Sequence, residues 1–298
     1  MNYSVIIPHK NVPKLLARCV NSIPVRDDIE VIVIDDCSSP EFKVAIEEIC
    51  NRRNTILLRN NKSLGGGGAR NKGLEIARGK WIIFADSDDF FVESFWDKVD
   101  DCIKGNYEIF YFKVQGVNSE TLEPTKRGSN YSQLVENLLE NRKHAEDIIR
   151  IYHFVPWGKV ISHDLVEREN IRFDEVMTSN DVMFNTISGT KAKSVKACNE
   201  FMYVVSIREG SLTKNETIEA LKCRYLVDLR RSRYLMSIDK PQYAGIPYAL
   251  VKRTCKLYGY SMFAWHFSQL FTTRTNLLKV AMYKIFYFFL HNKNHEST

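Results

Sequence analysis

The sequence lacks the patterns that mark several common classes of protein. Its seven cysteines include no C-x-x-C pair, so we expect neither a zinc site nor a redox-active pair. An odd number of cysteines, with no charged-then-apolar leader before Tyr3–Ile7, is typical of reduced thiols in a cytoplasmic protein. The longest apolar run, Leu277–Leu290, has fourteen residues and contains two lysines. A membrane-spanning helix needs about twenty apolar residues, so we expect this run not to cross a bilayer.

Basic residues are concentrated in the last quarter of the 298-residue chain, although the net charge is only +6. Residues 222–293 carry thirteen Lys or Arg and two Asp, so this region has a charge of +11 and the rest of the chain has −5. Eleven aromatic residues lie between Tyr258 and Phe289, interleaved with basic ones. This combination is typical of a helix lying on an anionic membrane surface, which we predict for the C-terminal region. Helices packed on the rest of the protein are the alternative, and we expect no nucleic-acid partner.

Strand-like and helix-like segments alternate over the first 115 residues. Four short apolar segments have the character of buried strands, and they are Ser4–Ile7, Glu30–Ile34, Thr55–Leu58 and Trp81–Ala85. The segments between them place apolar residues at helical spacing. This order predicts an α/β fold with a mainly parallel sheet flanked by helices. We expect one domain over residues 1–216 and a mostly helical, basic region over residues 217–298.

Carboxylates follow two of the predicted strands. Asp86 and Asp88 are one residue apart and come directly after Trp81–Ala85, whereas Asp36 closes the Glu30–Ile34 segment. Ligands of such sheets bind beyond the carboxyl ends of the strands, so these side chains are expected at one rim. Asp86 and Asp88 can face one hard cation, Mg²⁺ or Mn²⁺, because these ions take oxygen ligands. Capping of the following helix is the alternative function of this acidic run.

Asp36 and Arg70 are candidate contacts to a nucleotide. Asp36 can accept hydrogen bonds from a nucleobase imide or a ribose hydroxyl. An Asx turn or a helix N-cap, given Ser38, Ser39 and Pro40, is the alternative. Gly65–Gly68 is predicted to be a flexible loop that leads into a helix over Ala69–Ala77. Arg70, at the start of that helix, can hold a phosphate or position a metal-binding aspartate. A solvated arginine on a surface loop is the alternative.

Taken together, these segments resemble the family 2 glycosyltransferases of the GT-A fold. The matching stretches occur in the family's order and spacing, and they are Ser4–Pro8 with Asn11, Glu30–Asp36, Gly68–Gly73 and Gly79–Asp89. A weaker match includes Trp157–Lys159, Asp181 and Tyr203 with Arg208–Ser211. The resemblance spans roughly residues 3–212 and does not cover the basic C-terminal region.

The resemblance implies a site for a nucleoside-diphosphate sugar in the half formed by residues 1–115. Asp36 would contact the nucleobase, and Pro8 would do so through its backbone. Arg70 and Asp86 would hold the nucleotide. Asp88 would bind the metal, with Asp86 beside it. Residues 116–216 would then form the acceptor-binding half.

The resemblance also implies an inverting transfer, in which a single base takes the proton from the acceptor hydroxyl. That base usually follows a glutamate, but here Asp181 follows Asn180. We identify Asp181 as the base. The metal would neutralise the leaving diphosphate, with help from Arg70 or Arg208. Lys10 occupies a position where the family commonly has an aromatic residue, which bears on stacking of the nucleobase.

These features predict a metal-dependent glycosyltransferase, specifically a hexosyltransferase, that moves a sugar from a UDP-linked donor to a hydroxyl of a growing surface glycan such as lipopolysaccharide or capsule. The basic region motivates a lipid-linked acceptor and a peripheral position on the inner face of the cell membrane. Two alternatives remain. Asn180 motivates a catalytically inactive binding module. The second alternative is a sugar nucleotidyltransferase. That class needs a glycine-rich loop after the first strand, and Pro8–Pro13 contains no glycine, which disfavours it.

Overall fold

The computed structural model of the chain describes residues 1–52, 55–207 and 216–272. The chain divides into two compact units. The first unit comprises residues 1–176 and 180–211, and the second comprises residues 177–179 and 212–298. The division of residues 1–216 into a donor-binding and an acceptor-binding half stays a prediction.

A nine-stranded mixed sheet forms the centre of the first unit. Its strands are β1 (Tyr3–His9), β2 (Ile29–Asp35), β3 (Ile56–Arg59), β4 (Trp81–Phe84), β5 (Phe90–Phe91), β6 (Ile109–Asn118), β7 (Pro124–Thr125), β8 (Lys159–Ser162) and β9 (Val195–Ile207). The strand order is β3-β2-β1-β4-β8-β6-β9-β5, and β7 pairs with β6. All four strands predicted from the first 90 residues are confirmed, with their ends moved by one or two residues.

The four N-terminal strands are parallel, and β1 lies between β2 and β4. Tyr3 is paired with Ile29 on one side and with Trp81 on the other, so β1 brings the carboxyl ends of both neighbours to one edge. The prediction of a mainly parallel sheet, made from the first 115 residues, is confirmed for β1–β4, and farther along the sheet β6 pairs parallel with β9. Strand β8 runs antiparallel to both β4 and β6, which makes the whole sheet mixed.

Helices cover both faces of the sheet. Those of the first unit are α1 (Pro13–Asn21), α2 (Lys43–Arg52), α3 (Gly65–Ile76), α4 (Glu93–Cys102), α5 (Ser129–Leu139), α6 (Ala145–Tyr152), α7 (His163–Arg168) and α8 (Val182–Lys191). Alternate residues of β1 belong to two separate cores, with Val5 in one and Ile6 in the other. Because successive side chains of a strand point to opposite faces, a sheet covered on both sides produces this continuously apolar sequence.

The glycine run departs from its predicted loop. Helix α3 begins at Gly65, so residues 65–68 form its first turn instead of a flexible segment. A Cβ on Gly67 would lie 2.1 Å from the backbone oxygen of Asp174, and one on Gly68 would lie 2.5 Å from Cβ of Leu64. The glycines therefore serve close packing of this helix end, which a larger side chain would prevent.

Residues 218–272, the described part of the region 217–298 that was predicted to be mostly helical, are mostly helical. It contains α9 (Ile218–Ser237), α10 (Tyr248–Tyr258) and α11 (Ser261–Thr272). Tyr225, Leu229, Val251 and Leu270 form its small core. Among the residues that the structure describes, no helix has both the length and the apolar character needed to cross a membrane. The apolar run Leu277–Leu290 lies outside the described residues.

Candidate active site

The candidate site lies where β2 and β4 end on either side of β1. The backbone N–H of Asp36 donates to the His9 carbonyl at 2.8 Å, and that of Ala85 donates to the Ile6 carbonyl at 3.1 Å. Asp36 and Asp86 are therefore held at the same edge of the sheet, as the sequence predicted. Ligands of open α/β sheets bind at such an edge.

Asp36 is buried and accepts four hydrogen bonds from the segment that leads into α3. Asn60 Nδ2 and the Leu64 N–H donate to Oδ1 at 2.7 Å each, and Ser63 Oγ and the Gly65 N–H donate to Oδ2 at 2.7 and 2.9 Å. Burial alone would raise the pKa of Asp36, but these hydrogen bonds outweigh it and lower that pKa. Asp36 thus fixes the start of α3, and its contact with a nucleobase stays a prediction.

The carboxylate of Asp36 bonds residues 60–65 and does not form the Asx turn or N-cap considered for it. Oδ1 of Asp35 accepts from the backbone N–H of Ser38 at 3.1 Å. Pro8 lies in β1 opposite Ile34, one residue before the backbone contact of His9 with Asp36. This places Pro8 at the predicted nucleobase end of the site.

Arg70 connects the two sides of the site. Its Nη2 donates to Oδ1 of Asp86 at 2.5 Å, and its Nη1 donates to Oδ1 of Asn180 at 3.2 Å. The guanidinium also lies over the ring of Phe173, 5.3 Å from the ring centroid. Arg70 is only 7% exposed, so the alternative of a solvated surface arginine is wrong.

The acidic loop Asp86–Asp89 is anchored by contacts with β9 and α1 that the sequence analysis did not predict. Its first backbone N–H, that of Asp86, donates to the Tyr203 hydroxyl at 2.7 Å. Its last side chain, Asp89 Oδ1, accepts from the Ser206 N–H at 2.7 Å. Arg18 Nη2 donates to the Asp88 carbonyl at 2.8 Å. Strand β9 and helix α1 therefore hold this loop at three points.

The loop concentrates negative charge. Burial raises the pKa of Asp89 well above its usual value, and the nearby carboxylates of Asp88 and Asp86 raise it further. Asp86 and Asp88 themselves are only partly buried. The capping alternative is wrong, because α4 begins at Glu93 and its N-cap residue is Val92, with no side-chain cap. The carboxylates of Asp86 and Asp88 thus remain at the sheet edge and not at a helix end.

A hard cation fits these two carboxylates only with oxygen atoms from elsewhere. Within the described ranges, no three His, Cys, Asp or Glu side chains form a ready metal site. Asp86 and Asp88 supply two carboxylates, and Mg²⁺ commonly combines one or two protein carboxylates with substrate phosphates and water. These two carboxylates could hold such an ion together with ligand phosphates, and the metal site stays a prediction.

Asp181 stands at the N-cap position of α8 but makes no side-chain capping hydrogen bond there. The capping alternative therefore does not account for its carboxylate. Burial raises the pKa of Asp181 to about 6, opposed by Arg70 and Lys159 and reinforced by Asp86. A carboxylate with such a pKa is ionised at neutral pH and is a stronger base than an ordinary aspartate.

A buried lysine supports the backbone of Asp181. Lys159 Nζ donates to the His153 carbonyl and to Oδ1 of Asn185, both at 3.0 Å. Asn185 Nδ2 in turn donates to the Asp181 carbonyl at 2.8 Å. Burial lowers the pKa of Lys159 well below its ordinary value, and the Asp181 charge offsets this only in part. A lysine at the first position of the short strand Lys159–Ser162, directly before two apolar residues, was the available signal for this network.

Lys10, the second departure from the family pattern, reaches the segment before α3. Its Nζ donates to Ser63 Oγ at 3.0 Å, and that hydroxyl donates to Asp36. Lys10 therefore lies beside the predicted nucleobase end. Arg208 lies outside the described residues, so its predicted contact with the leaving diphosphate has no structural description.

Four parallel strands in the order β3-β2-β1-β4, with an acidic loop after β4, define a GT-A-type α/β fold. The family profile described as glycosyl transferase family 2 matches residues 4–168, more than half of the chain. The chain therefore belongs to glycosyl transferase family 2, which confirms the resemblance drawn from the motifs.

Curated relatives and solved structures agree with this assignment. The Bacillus subtilis glycosyltransferase EpsJ is 27% identical over 217 residues, covering 71% of this chain and 62% of EpsJ. TarS of Staphylococcus aureus, a poly(ribitol-phosphate) beta-N-acetylglucosaminyltransferase, is 28% identical over 218 residues, covering 70% of this chain and 36% of TarS. The crystal structure of TarS 1-349 with UDP-GlcNAc matches with a TM-score of 0.65 at 22% identity, covering 94% of this chain and 77% of that one. The match to the TarS structure confirms the fold. The chain spans less than two thirds of the length of these two curated relatives.

Proposed function

We propose that this protein is an inverting glycosyltransferase that moves a sugar from a nucleoside-diphosphate sugar to a hydroxyl of a surface glycan. One observation carries the proposal. Arg70 bonds Asp86, at the end of β4, and Asn180, the residue before Asp181. The Arg70 guanidinium thus lies between the predicted donor side, at Asp86, and the segment that carries the predicted base, Asp181. A single displacement requires these two groups to be close together.

Asp181 serves as the general base. Its carboxylate takes the proton from the acceptor hydroxyl while that oxygen bonds to the anomeric carbon. The bond from the anomeric carbon to the diphosphate oxygen breaks in the same step, and the electron pair leaves with the nucleoside diphosphate. Attack from the face opposite the leaving group inverts the anomeric centre. The pKa of about 6 suits this task, because the base is ionised at neutral pH and still attracts a proton.

The donor diphosphate binds at the carboxyl end of β4. Arg70 supplies a fixed positive charge there, and its own position is set by Asp86 and Asn180. Asp86 and Asp88 would hold Mn²⁺ or Mg²⁺, which would neutralise the charge that develops on the leaving diphosphate. A UDP-linked donor is the preferred candidate, and the capture of UDP-GlcNAc by the structurally similar TarS supports it.

The acceptor is a growing surface glycan on a lipid carrier, and the enzyme acts peripherally on the inner face of the membrane. The relatives that transfer sugars to poly(ribitol-phosphate) support a surface polymer as acceptor. The basic C-terminal region supports an anionic membrane as the place where the acceptor is presented.

A thermal-shift screen tests the donor first. UDP-, GDP- and dTDP-sugars are compared with and without Mn²⁺, because a ligand that binds only the folded state raises the melting temperature. One donor class should raise it more with Mn²⁺ than without it, and Asp88→Ala should remove that difference. Arg142→Met, at an exposed position, serves as the unaffected control. Wild type and Asp88→Ala responding equally to Mn²⁺ would reject the metal site.

The donor found in this way is then supplied with acceptor glycans, and the product is examined by NMR. An inverted anomeric linkage is expected. Retention of configuration, or binding of every donor class without any transfer, would reject the proposed function. The second of those outcomes would favour the inactive binding module that Asn180 had suggested.

A further inference from the structure

Helix α11 presents an exposed aromatic stripe. Phe263, Phe267 and Phe271 are 59%, 49% and 67% exposed, and Tyr260 just before the helix is 90% exposed. Residues four apart in a helix lie on one face, so the three phenylalanines form a single row. Exposing three phenylalanines on one helical face to water is unfavourable. Such a row indicates a surface that binds another apolar surface.

The opposite face of α11 is packed within the second unit. Met262, His266 and Leu270 are buried and face α9 and α10. The Tyr225 hydroxyl donates to the His266 carbonyl at 3.0 Å, and the ring of His266 lies 4.2 Å from the Tyr225 ring. The phenylalanine row therefore cannot turn inward without breaking this packing.

Helices α10 and α11 contain no Asp or Glu, and α10 carries basic residues beside the row. The sequence contains no Asp or Glu between Lys240 and His295. Lys252 and Lys256 are exposed on α10, which packs against α11. Lys222 Nζ, on α9, lies 5.1 Å from the ring centroid of Trp265, which is on α11. The neighbouring Arg253 is instead paired with Glu216.

We propose that the α11 row Phe263, Phe267 and Phe271, with Lys252 and Lys256 of α10, is the surface through which this protein binds an anionic lipid bilayer. Phenylalanine rings enter the headgroup boundary, and lysines attract acidic headgroups. A second copy of this chain is a poorer occupant, because two copies of a surface that carries Lys252 and Lys256 without a carboxylate on α10 or α11 repel each other. The inference deepens the membrane part of the proposed function, and its test requires no sugar transfer.

Vesicle co-sedimentation of the full chain tests the proposal. Vesicles of phosphatidylcholine with phosphatidylglycerol are compared with vesicles of phosphatidylcholine alone. Wild type should sediment with the anionic vesicles and lose most of that binding in high salt. Changing all three phenylalanines to serine, and separately Lys252→Glu with Lys256→Glu, should each weaken binding about tenfold or more.

Two matched controls separate this surface from general stickiness. The first control carries both Phe201→Ser and Val44→Ser, which remove exposed apolar side chains of the first unit. The second carries Lys104→Glu, which reverses an exposed charge there. Both control proteins should sediment like wild type. The triple serine variant should also keep the wild-type melting temperature, since its phenylalanines are exposed.

Several results would overturn the proposal. They are equal sedimentation of wild type and the two surface variants, a large loss of melting temperature in the triple variant, and a wild-type dimer that the triple variant abolishes. The second result would mean that the chain itself covers the row, and the third that another copy does. Failure of sugar transfer with vesicle binding intact would reject the proposed enzyme activity and leave this surface standing.

Discussion

Arg70 and Asn180 are joined by a hydrogen bond of 3.2 Å from Nη1 to Oδ1, although they lie 110 residues apart in the chain. Asn180 is the residue that departs from the family's usual glutamate. The contact gives it a role, because the amide holds the arginine without cancelling its positive charge. The guanidinium thus bonds one carboxylate, that of Asp86, and one neutral amide, and under the proposed function its remaining positive charge would face the donor diphosphate.

Loss of the Asn180 amide should impair transfer more than folding. We expect Asn180→Ala to lower kcat/KM by about tenfold to a hundredfold, since a hydrogen bond to a charged group contributes about 1.5–3 kcal/mol. Steady-state kinetics with the donor identified by thermal shift measure this change. Asn106→Ala, at an exposed position, should behave like wild type. Wild-type kinetics for Asn180→Ala would contradict the role given to this contact.

Replacement of the Asp36 carboxylate should destabilise the start of α3. Asp36→Asn removes a charge that accepts four hydrogen bonds, so we expect a loss of about 2–3 kcal/mol in the free energy of unfolding at neutral pH. The folded-state pKa of Asp36 is lowered, so its stabilisation is present above the unfolded value of about 3.9 and is lost as pH falls through the folded value. The difference between variant and wild type should therefore shrink in acid.

Urea denaturation at several pH values measures that difference. The exposed Asp101→Asn change provides the control and should alter stability by less than about 0.5 kcal/mol. An Asp36→Asn protein as stable as wild type at neutral pH would show that the four hydrogen bonds are not needed to hold the helix end.

The glycine run offers a packing test. Gly67→Ala would place a Cβ 2.1 Å from the Asp174 backbone oxygen, so we expect a loss of about 2–3 kcal/mol in the free energy of unfolding. Gly65→Ala meets no atom within 4 Å but has φ of +71°, which costs about 1–2 kcal/mol. Thermal melts should rank Gly67→Ala below Gly65→Ala. The reverse order would mean that the first turn of α3 is loose.

The strands and the chemistry-bearing residues could be predicted from the sequence, because both depend on local patterns. Asp36 and Asp86 follow apolar strands, and their meeting at one edge follows from parallel pairing. The helical start at Gly65 could not be predicted, because glycine disfavours helix and only the tertiary contacts with Asp36 and Asp174 hold it. The partner of Asn180 was equally hidden, since nothing local relates it to Arg70.

The pH dependence of transfer should report the base. With the pKa of Asp181 at about 6, kcat/KM should fall by about tenfold per pH unit below that value and level off above it. The ionised form is the active one, so activity is lost on the acidic side. A plateau that extends well below pH 5 would assign the proton transfer to another group.

Asp181→Asn should also stabilise the protein. Because the folded-state pKa is raised, the wild-type carboxylate costs stability once pH exceeds its unfolded value, and the cost is complete above the folded value of about 6. We expect the variant to gain about 1–2 kcal/mol at neutral pH, after allowance for the partial exposure of this side chain, and to gain little near pH 4. Denaturation of both proteins at the two pH values measures the gain. An Asp181→Asn protein less stable than wild type at neutral pH would indicate a structural role.

Transfer and donor binding measured side by side for wild type and Asp181→Asn test the central claim most directly. Wild type should transfer the sugar with inversion, whereas Asp181→Asn should bind the same donor with similar affinity and transfer it at least about a thousandfold more slowly. Undiminished transfer by Asp181→Asn would contradict the account, because the site would then lack its base.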